Sequence, residues 1–398
     1  MRRSFVNILF VHETCGWFGG VEQNLADATR LRSLGHSCFL AFTRRARDAD
    51  SFATLFDDTA SLEQGLEPLL KRWNPDVVYV HKLDNATALL PACGSRHVVR
   101  FVHDHDLCCP RSHKYYLHNG RICTHAAGWR CWLDGAFVAR SRGMLPLRFV
   151  NIGARLREMR AHAGFDRIIA ASRYMRDQLV ANGLPPSRIA VLPYAVDLPA
   201  DDERFIEVPG ESRVLYVGQL VRGKGVDLLL DAMSRVERPF WLDIVGVGNA
   251  REGLEMRARQ LGLESCTRFL GWIPTRAQTA LYARCDLAVV PSRWPEPFGI
   301  VGLQAMLAGR PVVAFDVGGI SDWLDHGETG LLVAEQDVAA FSTAVTRLLE
   351  DTVEASRMGR LARVRARERF SFPEYLRKLE HLLAPAHREQ PLSRRPDR

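Results

Sequence analysis

No apolar run in this sequence approaches the roughly eighteen residues that a membrane-spanning helix needs. Nine cysteines among 398 residues are too few for a disulfide scaffold, and an odd number cannot all pair, so reduced thiols are expected. No internal repeat of fixed period is present. These absences leave a globular chain whose apolar residues are spread over many short runs.

The first residues look at first like a targeting signal. Met1 and two arginines precede an apolar stretch that ends at Val11. His12 and Glu13 then interrupt the stretch, and no small-residue cleavage site follows. The pattern favours a first buried β-strand over a signal peptide, and we expect the protein to remain in the cytoplasm.

Length and charge limit the possibilities further. With 398 residues, 47% of them apolar, the chain is too long for one ordinary core, which predicts two domains. The net charge of +7, much of it arginine, suits a polyanionic partner such as a nucleotide diphosphate, nucleic acid or an anionic lipid surface. A solvated basic surface explains the charge equally well, so charge alone does not identify a partner.

Short apolar runs alternate with amphipathic stretches, which predicts an α/β fold with parallel sheets covered by helices. The predicted strands are Val6–Val11, Cys38–Phe42, Val77–Val80, Val98–His103, Arg167–Ala171, Ile189–Leu192, Arg213–Val217, Phe240–Val245, Thr267–Leu270, Leu287–Val290 and Pro311–Phe315. The predicted helices are Val21–Ser33, Leu147–Ala161, Tyr174–Ala181, Val226–Arg235, Ala250–Leu261, Arg276–Ala283, Ile300–Leu307, Ala339–Leu349, Thr352–Glu368 and Pro373–Leu383.

These elements predict two doubly wound domains that face a central cleft. The first domain covers residues 1–198 and the second residues 205–370, with a polar linker at 197–204. A helix at 371–384 would return to the first domain. The polar, Pro/Arg-rich tail 385–398 is expected to be disordered.

A glycine-rich loop, here called the phosphate loop, follows the predicted strand Arg213–Val217 and runs from Gly218 to Gly225. Glycines let a backbone approach a phosphate, a helix amino terminus offers free N–H groups, and Arg222 and Lys224 add charge. The loop therefore predicts anion binding over a plain turn. Its spacing also fits a P-loop, but Gly225 stands where a Ser or Thr would hold magnesium, so nucleotide hydrolysis has less support.

A proline-stiffened loop at residues 291–299, here called the acidic elbow, presents Glu296 just before a predicted helix. Gln304 lies a little over one turn into that helix and would share the same cleft. The alternative of a solvated glutamate is disfavoured by the rigid Pro-Glu-Pro-Phe-Gly setting. Three backbone amides at the helix start would bind a phosphate or a sugar hydroxyl: those of Phe298, Gly299 and Ile300.

These segments resemble the carboxy-terminal core of family 4 retaining glycosyltransferases, which have the GT-B fold. The phosphate loop is similar to that family's diphosphate-binding loop, with Lys224 matching its phosphate-binding lysine. Residues 18–22, Phe-Gly-Gly-Val-Glu, resemble the amino-terminal glycine loop that covers the donor from the other domain. The resemblance spans nearly the whole chain and is most specific in these motifs: Glu296 to Gly299, Ala-Gly-Arg-Pro-Val-Val at 308–313, Gly318-Gly319 and Gly327 to Gly330.

The resemblance implies a metal-independent hexosyltransferase that keeps the anomeric configuration of the transferred sugar. Glu296 would contact hydroxyls of the donor sugar, and Arg222 and Lys224 would offset charge on the departing nucleotide diphosphate. His103 matches a family histidine near the acceptor and donor sugar, although a structural histidine explains it nearly as well. The implied donor-binding residues are Gly19, Gly20, Gly218, Gln219, Phe298, Gly299, Ile300 and Gln304.

Three departures from the family pattern leave room for a weakened or repurposed donor site. Gln304 replaces a second glutamate that holds the ribose hydroxyls, although an amide can still donate and accept hydrogen bonds. Gln219 replaces a common arginine, which leaves Arg222 to supply that charge. Residues 193–197, Pro-Tyr-Ala-Val-Asp, replace the usual Asn-Gly before the hinge aspartate.

Metal sites are a minor alternative. Asp104-His-Asp106 and Asp48-Ala-Asp50 fit the metal motif of another glycosyltransferase fold, but about one such match is expected by chance, and we discount both. Four cysteines lie between Cys108 and Cys131, although no pair of Cys-x-x-Cys knuckles is present. Zinc held by Cys109, Cys123 and Cys131 therefore remains an alternative to reduced thiols.

Residues 146–160 place four apolar side chains at helical spacing among several arginines. The sequence favours a helix packed on the first sheet with a solvated basic face. The other hypothesis is docking on an anionic membrane that carries a lipid-linked acceptor. The four apolar residues are Phe149, Ile152, Leu156 and Met159.

The function that we predict is sugar transfer from a UDP- or GDP-linked donor to a glycan, glycolipid or other cell-envelope precursor. No cofactor and no nucleic acid are expected, and contact with the inner face of the cell membrane is an option. The alternatives are a nucleotide-sugar epimerase of the same fold, a P-loop hydrolase, and a non-catalytic nucleotide- or glycan-binding protein with a degenerate donor site.

Overall fold

The computed structural model describes residues 5–17, 19–116, 119–140, 147–196 and 212–385. Phe18 of the amino-terminal glycine loop, the predicted linker 197–204 and residues 386–398 of the predicted tail lie outside the described residues. The predicted boundary between residues 198 and 205 therefore stays a prediction.

The elements alternate between strands and helices along the chain. The strands are β1 (Asn7–Cys15), β2 (Ser37–Arg45), β3 (Asp58–Ser61), β4 (Val77–Val80), β5 (His97–Val102), β6 (Val138–Arg140), β7 (Leu147–Phe149), β8 (Arg167–Ala170), β9 (Ile189–Val191), β10 (Ser212–Val217), β11 (Phe240–Val245), β12 (Thr267–Gly271), β13 (Leu287–Val290), β14 (Val312–Phe315) and β15 (Gly330–Val333). The α-helices are α1 (Gly20–Ala28), α2 (Ala49–Ala53), α3 (Glu67–Trp73), α4 (Leu90–Cys93), α5 (Arg130–Leu133), α6 (Ile152–Ala161), α7 (Arg173–Ala181), α8 (Val226–Met233), α9 (Arg251–Gln260), α10 (Thr275–Arg284), α11 (Ile300–Leu307), α12 (Val338–Glu350), α13 (Thr352–Arg369) and α14 (Phe372–Leu383).

The described chain divides into two compact units. One is formed from the described parts of residues 1–101, 164–169 and 376–398, and the other from those of 102–163 and 170–375. Among the helices that the structure describes, none combines the length and apolarity that a bilayer crossing requires.

The first sheet has seven strands in the order β3-β2-β1-β4-β5-β8-β9. Strand β1 pairs in parallel with β2 on one side and with β4 on the other. Its residues Leu9 to Val11 are wholly buried. A parallel strand covered on both faces has no polar side to alternate with, which is why β1 and β4 read as continuous apolar runs.

The second sheet has six strands in the order β12-β11-β10-β13-β14-β15, and its neighbouring strands pair in parallel. The chain winds outward from β10 through β11 to β12, then returns to β13 on the other side of β10. The strand order therefore reverses between β10 and β13. In open α/β sheets, ligands bind in the crevice beyond the carboxyl ends of the strands at such a reversal.

The predicted fold class, two Rossmann-like parallel sheets with helical cover, is confirmed. Strands β4, β11 and β13 and helix α11 have the predicted bounds. Short or polar elements were not predicted, among them β3, β15 and helices α2 to α5. The predicted helix Val21–Ser33 ends at Ala28 and continues as a 3-10 helix over Thr29–Leu34.

The prediction of one helix over Leu147–Ala161 is wrong at its start. Residues Leu147–Phe149 form β7, which pairs antiparallel with β6. Helix α6 begins only at Ile152, because the Asn151 side chain accepts the N–H of Ala154 at 3.0 Å and caps it. Ile152 and Met159 are buried, so they do not form the membrane-docking face of the second hypothesis.

A glycine in α11 tests the packing of the second unit. A Cβ on Gly302 would lie 2.0 Å from the ring of Trp323, which is fully buried. We expect Gly302→Ala to lower the free energy of unfolding by about 1–3 kcal/mol through overpacking. Gly253→Ala in α9, where a Cβ meets nothing within 4 Å, should instead raise it by about 1 kcal/mol through helix propensity. Urea denaturation of both variants measures the difference, and equal shifts would contradict this account.

Candidate active site

The phosphate loop and the acidic elbow are adjacent because they follow neighbouring strands. The phosphate loop begins where β10 ends and the acidic elbow begins where β13 ends, on either side of the strand-order reversal. The backbone N–H groups of Arg293 and Trp294 donate to the Gly223 carbonyl at 3.0 and 3.1 Å. Main-chain hydrogen bonds thus fix one loop against the other.

Gly225 is explained by this close approach. Its φ is +67°, and a Cβ there would lie 1.9 Å from the Pro291 carbonyl oxygen. A Ser or Thr would therefore push the phosphate loop away from the acidic elbow. The P-loop interpretation is thus disfavoured by packing as well as by the missing hydroxyl.

Glu296 is buried, with 4% of its surface exposed, so the alternative of a solvated loop residue is wrong. Its Oε1 accepts a hydrogen bond from Lys224 Nζ at 2.7 Å and another from the Ser292 hydroxyl. Burial alone would raise the pKa of Glu296, but the charge and hydrogen bond of Lys224, with the Ser292 hydrogen bond, outweigh it and lower that pKa. The result is an ionised carboxylate in a site that excludes most water.

Lys224 lies at the edge of the site. Its side chain is 22% exposed, and its Nζ lies 5.1 Å from the centre of the Trp294 ring. The carboxylate and the indole face together hold the ammonium group in one place. Lys224 can therefore present a fixed positive charge to a ligand that enters from solvent.

The helix after the acidic elbow begins without a side-chain cap. Gly299 occupies the N-cap position with φ +86°, and Ile300 starts α11. A helix amino terminus of this kind offers N–H groups and partial positive charge to an anion or a hydroxyl. The Phe298 side chain is buried against Tyr194 and Phe370, and its carbonyl oxygen accepts the indole N–H of Trp323 at 2.5 Å, so neither group is offered to a ligand.

The acidic elbow is supported from behind by Gly318 and Gly319. A Cβ on Gly318 would lie 2.3 Å from the Glu296 carbonyl oxygen, and the Gly319 N–H donates to that oxygen at 2.7 Å. The Ser172 hydroxyl donates to the Pro297 carbonyl at 2.5 Å. Ser172, which also caps α7, was not predicted; a serine between a strand and a helix signals the cap but not its contact 125 residues away.

The three polar residues around the phosphate loop differ in exposure. Gln304 is buried, and its Oε1 accepts from the Tyr282 hydroxyl at a long 3.4 Å. Gln219 is exposed, while its carbonyl accepts from the Tyr216 hydroxyl at 3.0 Å. Arg222 is half-buried at the rim of a cavity of about 420 Å³, and its side chain makes no ion pair or hydrogen bond within the described residues.

Gly218 packs directly on the same tyrosine, because a Cβ there would lie 2.6 Å from the Tyr216 hydroxyl. A larger residue at this position would displace either the ring or the start of the phosphate loop. The glycine therefore lets the loop leave β10 close to the sheet.

The histidine predicted for the acceptor side is engaged with a tyrosine. His103 is largely buried, and its Nδ1 lies 2.8 Å from the Tyr194 hydroxyl. His105, which was not predicted, lies edge-on to Trp294 of the acidic elbow at 6.1 Å. Burial, opposed by the charge of Asp104, lowers the pKa of His105 to about 4, so this ring is neutral at physiological pH.

The metal alternatives find no support in the described residues. Asp104 accepts the N–H of Asp106 at 2.9 Å, so this segment forms a capped turn. Cys109 and Cys131 are buried, Cys123 is partly buried, and all three are free thiols. No group of three or more His, Cys, Asp or Glu residues in the described chain is arranged to hold a metal ion.

The amino-terminal glycine loop belongs to the first unit, and the Glu22 side chain holds its backbone in place. The Gly19 N–H donates to Glu22 Oε2 at 2.8 Å, which caps α1 just before Gly20. The other Glu22 oxygen lies 3.2 Å from His12 Nε2 on β1. Both side chains are buried, so Glu22 fixes the backbone of the loop rather than facing solvent.

Comparison with known protein families agrees with this arrangement. The model described as Glycosyltransferase Family 4 matches residues 18–199, and the model described as Glycosyl transferases group 1 matches residues 200–365. Together the two models cover residues 18–365. The chain belongs to the family 4 glycosyltransferases with the GT-B fold.

Individual relatives are similar over part of their length. Glycogen synthase of Mycobacterium tuberculosis is 33% identical over 223 residues, which are 52% of this chain and 51% of that protein. D-rhamnosyltransferase WbpZ of Pseudomonas aeruginosa is 33% identical over 216 residues, 52% of this chain and 56% of WbpZ. The chain thus spans about half the length of these relatives.

Solved structures show the same fold over nearly the whole chain. Anabaena HepE, solved with UDP and glucose, superposes with a TM-score of 0.73 at 21% identity, covering 95% of this chain and 99% of HepE. WaaG, described as a glycosyltransferase of lipopolysaccharide biosynthesis, has a TM-score of 0.69 at 17% identity, covering 95% of this chain and 100% of WaaG.

Proposed function

We propose that this protein is a retaining, metal-independent hexosyltransferase that moves a sugar from a nucleotide-sugar to a glycan, glycolipid or other cell-envelope precursor. The observation that carries the proposal is the Lys224–Glu296 pair, a buried carboxylate and a partly exposed ammonium, at the strand-order reversal of the second sheet. It sets a fixed cation beside a fixed carboxylate next to an uncapped helix amino terminus.

In the proposed transfer reaction each of these residues has a role. The bond between the sugar C1 and the diphosphate oxygen breaks, and its electron pair stays on the nucleotide diphosphate. Lys224 and Arg222 offset that developing negative charge, as fixed donors do at an oxyanion. The acceptor hydroxyl oxygen forms the new bond to C1, and its proton passes to the diphosphate oxygen that leaves. Glu296 holds hydroxyls of the donor sugar, and His103 lies on the acceptor side.

A uridine diphosphate donor is proposed, with a guanosine diphosphate donor as the second choice. HepE, which shares the fold over nearly the whole chain, was solved in complex with UDP. The departures at Gln304 and Gln219 alter ribose and phosphate contacts without removing hydrogen-bonding capacity. We also propose that the protein works at the inner face of the cell membrane, where a lipid-linked acceptor would lie.

A thermal-shift screen against UDP, GDP, ADP and TDP, with and without magnesium, tests the donor. A nucleotide at 100 times its Kd stabilises a protein by about 2.7 kcal/mol. We expect a magnesium-independent rise in Tm with UDP. No shift with any nucleotide would favour a binding protein whose donor site has degenerated.

Product analysis then separates transfer from the alternatives. NMR of the product anomeric proton should give the same configuration as in the donor. Conversion of the nucleotide-sugar without any acceptor would indicate an epimerase. Magnesium-dependent release of phosphate from a nucleoside triphosphate would support the hydrolase.

A further inference from the structure

The Trp294 indole packs on the phosphate loop and on the Lys224 ammonium group. The main-chain N–H of Trp294 donates to the Gly223 carbonyl at 3.1 Å, and a Cβ on Gly223 would meet the Trp294 side chain at 3.6 Å. Lys224 Nζ lies over the indole, 5.1 Å from the ring centre. The position of this ring therefore affects where the ammonium group stands.

The Trp294 ring is also contacted by His105, which lies outside both loops of the candidate site. The two ring centres are 6.1 Å apart and their planes are inclined by 68°, the T-shaped arrangement that aromatic pairs favour. His105 belongs to the second unit, as do the phosphate loop and the acidic elbow, and it is wholly buried. A buried ring thus limits where the indole can lie.

His105 is itself held in place from two directions. Its carbonyl accepts hydrogen bonds from the N–H groups of Cys108 and Cys109 at 3.0 and 2.8 Å. Its ring centre lies 6.0 Å from that of Tyr174 on α7, and its Nε2 lies 3.4 Å from the Tyr174 hydroxyl. His105 therefore contacts both a helix residue and Trp294 of the acidic elbow.

His105 contacts Trp294 as a neutral ring. Burial lowers the pKa of His105 to about 4, while the charges of Asp104 and Glu296 oppose that shift. Within the described residues, its Nδ1 is buried and has no hydrogen-bond partner. A buried ring nitrogen without a partner costs free energy. The contact with Trp294 therefore depends on the shape of the ring and not on its charge.

Lys224 is constrained by two neighbours, and one of them depends on His105. Glu296 accepts a hydrogen bond from Lys224 Nζ at 2.7 Å, and Trp294 meets the same group with its ring. A cation fixed in advance stabilises a departing anion without rearrangement. Misplacing a positioned group by about 1 Å can lower a rate by about a hundredfold. Loss of His105 would loosen the Trp294 constraint.

We propose that His105 is a positioning residue for sugar transfer: its ring holds the Trp294 indole, which holds the Lys224 ammonium where the diphosphate departs. His105 is distinct from His103, the histidine that the family resemblance places near the acceptor, because His103 pairs with Tyr194 instead. The effect of His105 on transfer rests on the proposed function, whereas its effect on Lys224 does not.

Variants of His105 that separate ring shape from polarity test the proposal through kcat/KM. His105→Ala removes the ring and should lower kcat/KM by about tenfold. His105→Phe keeps a ring without nitrogens and should stay within about twofold of the wild type. His105→Asn keeps a polar group without the ring and should lose as much as His105→Ala. The reverse order, with His105→Asn active and His105→Phe impaired, would mean that a ring nitrogen touches substrate and would overturn the positioning role.

A double-mutant cycle shows whether His105 acts through Trp294. Trp294→Leu alone should lower kcat/KM by about tenfold. In that background His105→Ala should cost less than about twofold, because the ring that it positions is gone. Two losses that simply multiply would mean that His105 affects transfer by another route, and the proposal would be wrong.

The constraint on Lys224 can be measured without any turnover. The chain has five lysines, so reductive methylation with formaldehyde and cyanoborohydride, followed by peptide mass spectrometry, gives a rate for each. Lys224 should react more slowly than the exposed Lys71, because a carboxylate and a ring hold its ammonium group. His105→Ala should raise the Lys224 rate by about threefold and leave the Lys71 rate unchanged. An unchanged Lys224 rate would contradict the proposal.

A second buried histidine separates positioning from general packing. His162 is 2% exposed and lies in the 3-10 helix that follows α6. His162→Ala should lower Tm but leave kcat/KM and the Lys224 methylation rate unchanged. If it reproduces the losses of His105→Ala, general loosening of the fold explains both and the positioning role is rejected. If His105→Ala does not fold, His105→Leu, which fills the space without an aromatic ring, replaces it with the same expected losses.

The positioning role and the proposed function fail in different ways. Faster methylation of Lys224 in His105→Ala, with no transfer by the wild type from any nucleotide-sugar, would support the positioning of Lys224 and refute the proposed function. Transfer by the wild type, with kcat/KM and Lys224 methylation both unaffected by His105→Ala, would support the function and refute the positioning role.

Discussion

Replacing Lys224 by alanine should lower kcat/KM for sugar transfer by about three orders of magnitude, the equivalent of roughly 4 kcal/mol. Two losses combine. The departing diphosphate loses a fixed positive charge, typically worth a few kcal/mol. Glu296, which is 4% exposed and hydrogen bonded to Lys224 at 2.7 Å, also loses the partner that holds its carboxylate ionised and in place.

The pH dependence of the Lys224→Ala variant separates these two losses. In the wild-type protein Lys224 helps to hold the pKa of Glu296 below its usual value. Once Lys224 is removed, burial dominates and the pKa of Glu296 should rise, because low polarity disfavours the charged form. The acid limb of the residual activity should therefore move to higher pH. An unmoved acid limb would mean that Lys224 acts on the diphosphate alone.

Two further variants control for charge and for folding. Lys71→Ala removes an exposed lysine from α3 and should leave kcat/KM and Tm unchanged. Lys224→Arg should keep part of the activity, since the charge remains while its shape changes. Near-normal transfer by a folded Lys224→Ala variant would refute the role that we propose for this residue.

The sequence predicted the strands of both sheets best where burial is complete on two faces. Val77–Val80 and Leu287–Val290 are four-residue apolar runs, and both form strands with those bounds. The prediction of a single helix over Leu147–Ala161 failed for two reasons, one local and one more distant in the sequence. Asn151 caps α6, and Val138–Arg140 pairs with the residues just before the cap. Helical periodicity cannot show a competing hairpin partner.

The sequence pointed to the residues of the candidate site but not to their arrangement in space. Glycines, charges and prolines pointed to the phosphate loop and the acidic elbow separately. Their contact depends on β10 and β13 being neighbours, with Tyr216 opposite Val289, and no local pattern encodes that strand order. The same holds for Ser172, whose hydrogen bond to Pro297 joins segments far apart in sequence. The close approach of Gly225 to the Pro291 carbonyl explains why this loop has a glycine where a P-loop has a Ser or Thr.

Replacing Glu296 by glutamine should reduce kcat by about a thousandfold while the Kd for UDP changes less than threefold. The amide keeps the shape of the side chain but loses the charge that faces Lys224 and that we propose faces the donor sugar. UDP lacks the sugar that is transferred, so we expect its binding to depend on the phosphate loop, the start of α11 and Gln304. Titration calorimetry with UDP and initial rates with the full donor measure the two quantities separately.

Three comparisons decide whether Glu296 acts on the sugar or only on Lys224. Glu252→Gln on α9, an exposed position, should change neither quantity. The double variant Glu296→Ala, Lys224→Ala should lower the free energy of unfolding by less than the two single variants added together. Each single variant leaves the other charged group without its counter-charge, whereas the double variant removes both. If Glu296→Gln weakens UDP binding as much as it slows turnover, the carboxylate serves to hold Lys224 in place. If Glu296→Gln slows turnover and leaves UDP binding unchanged, the carboxylate acts on the transferred sugar. That sugar is present in the intact donor and absent from UDP.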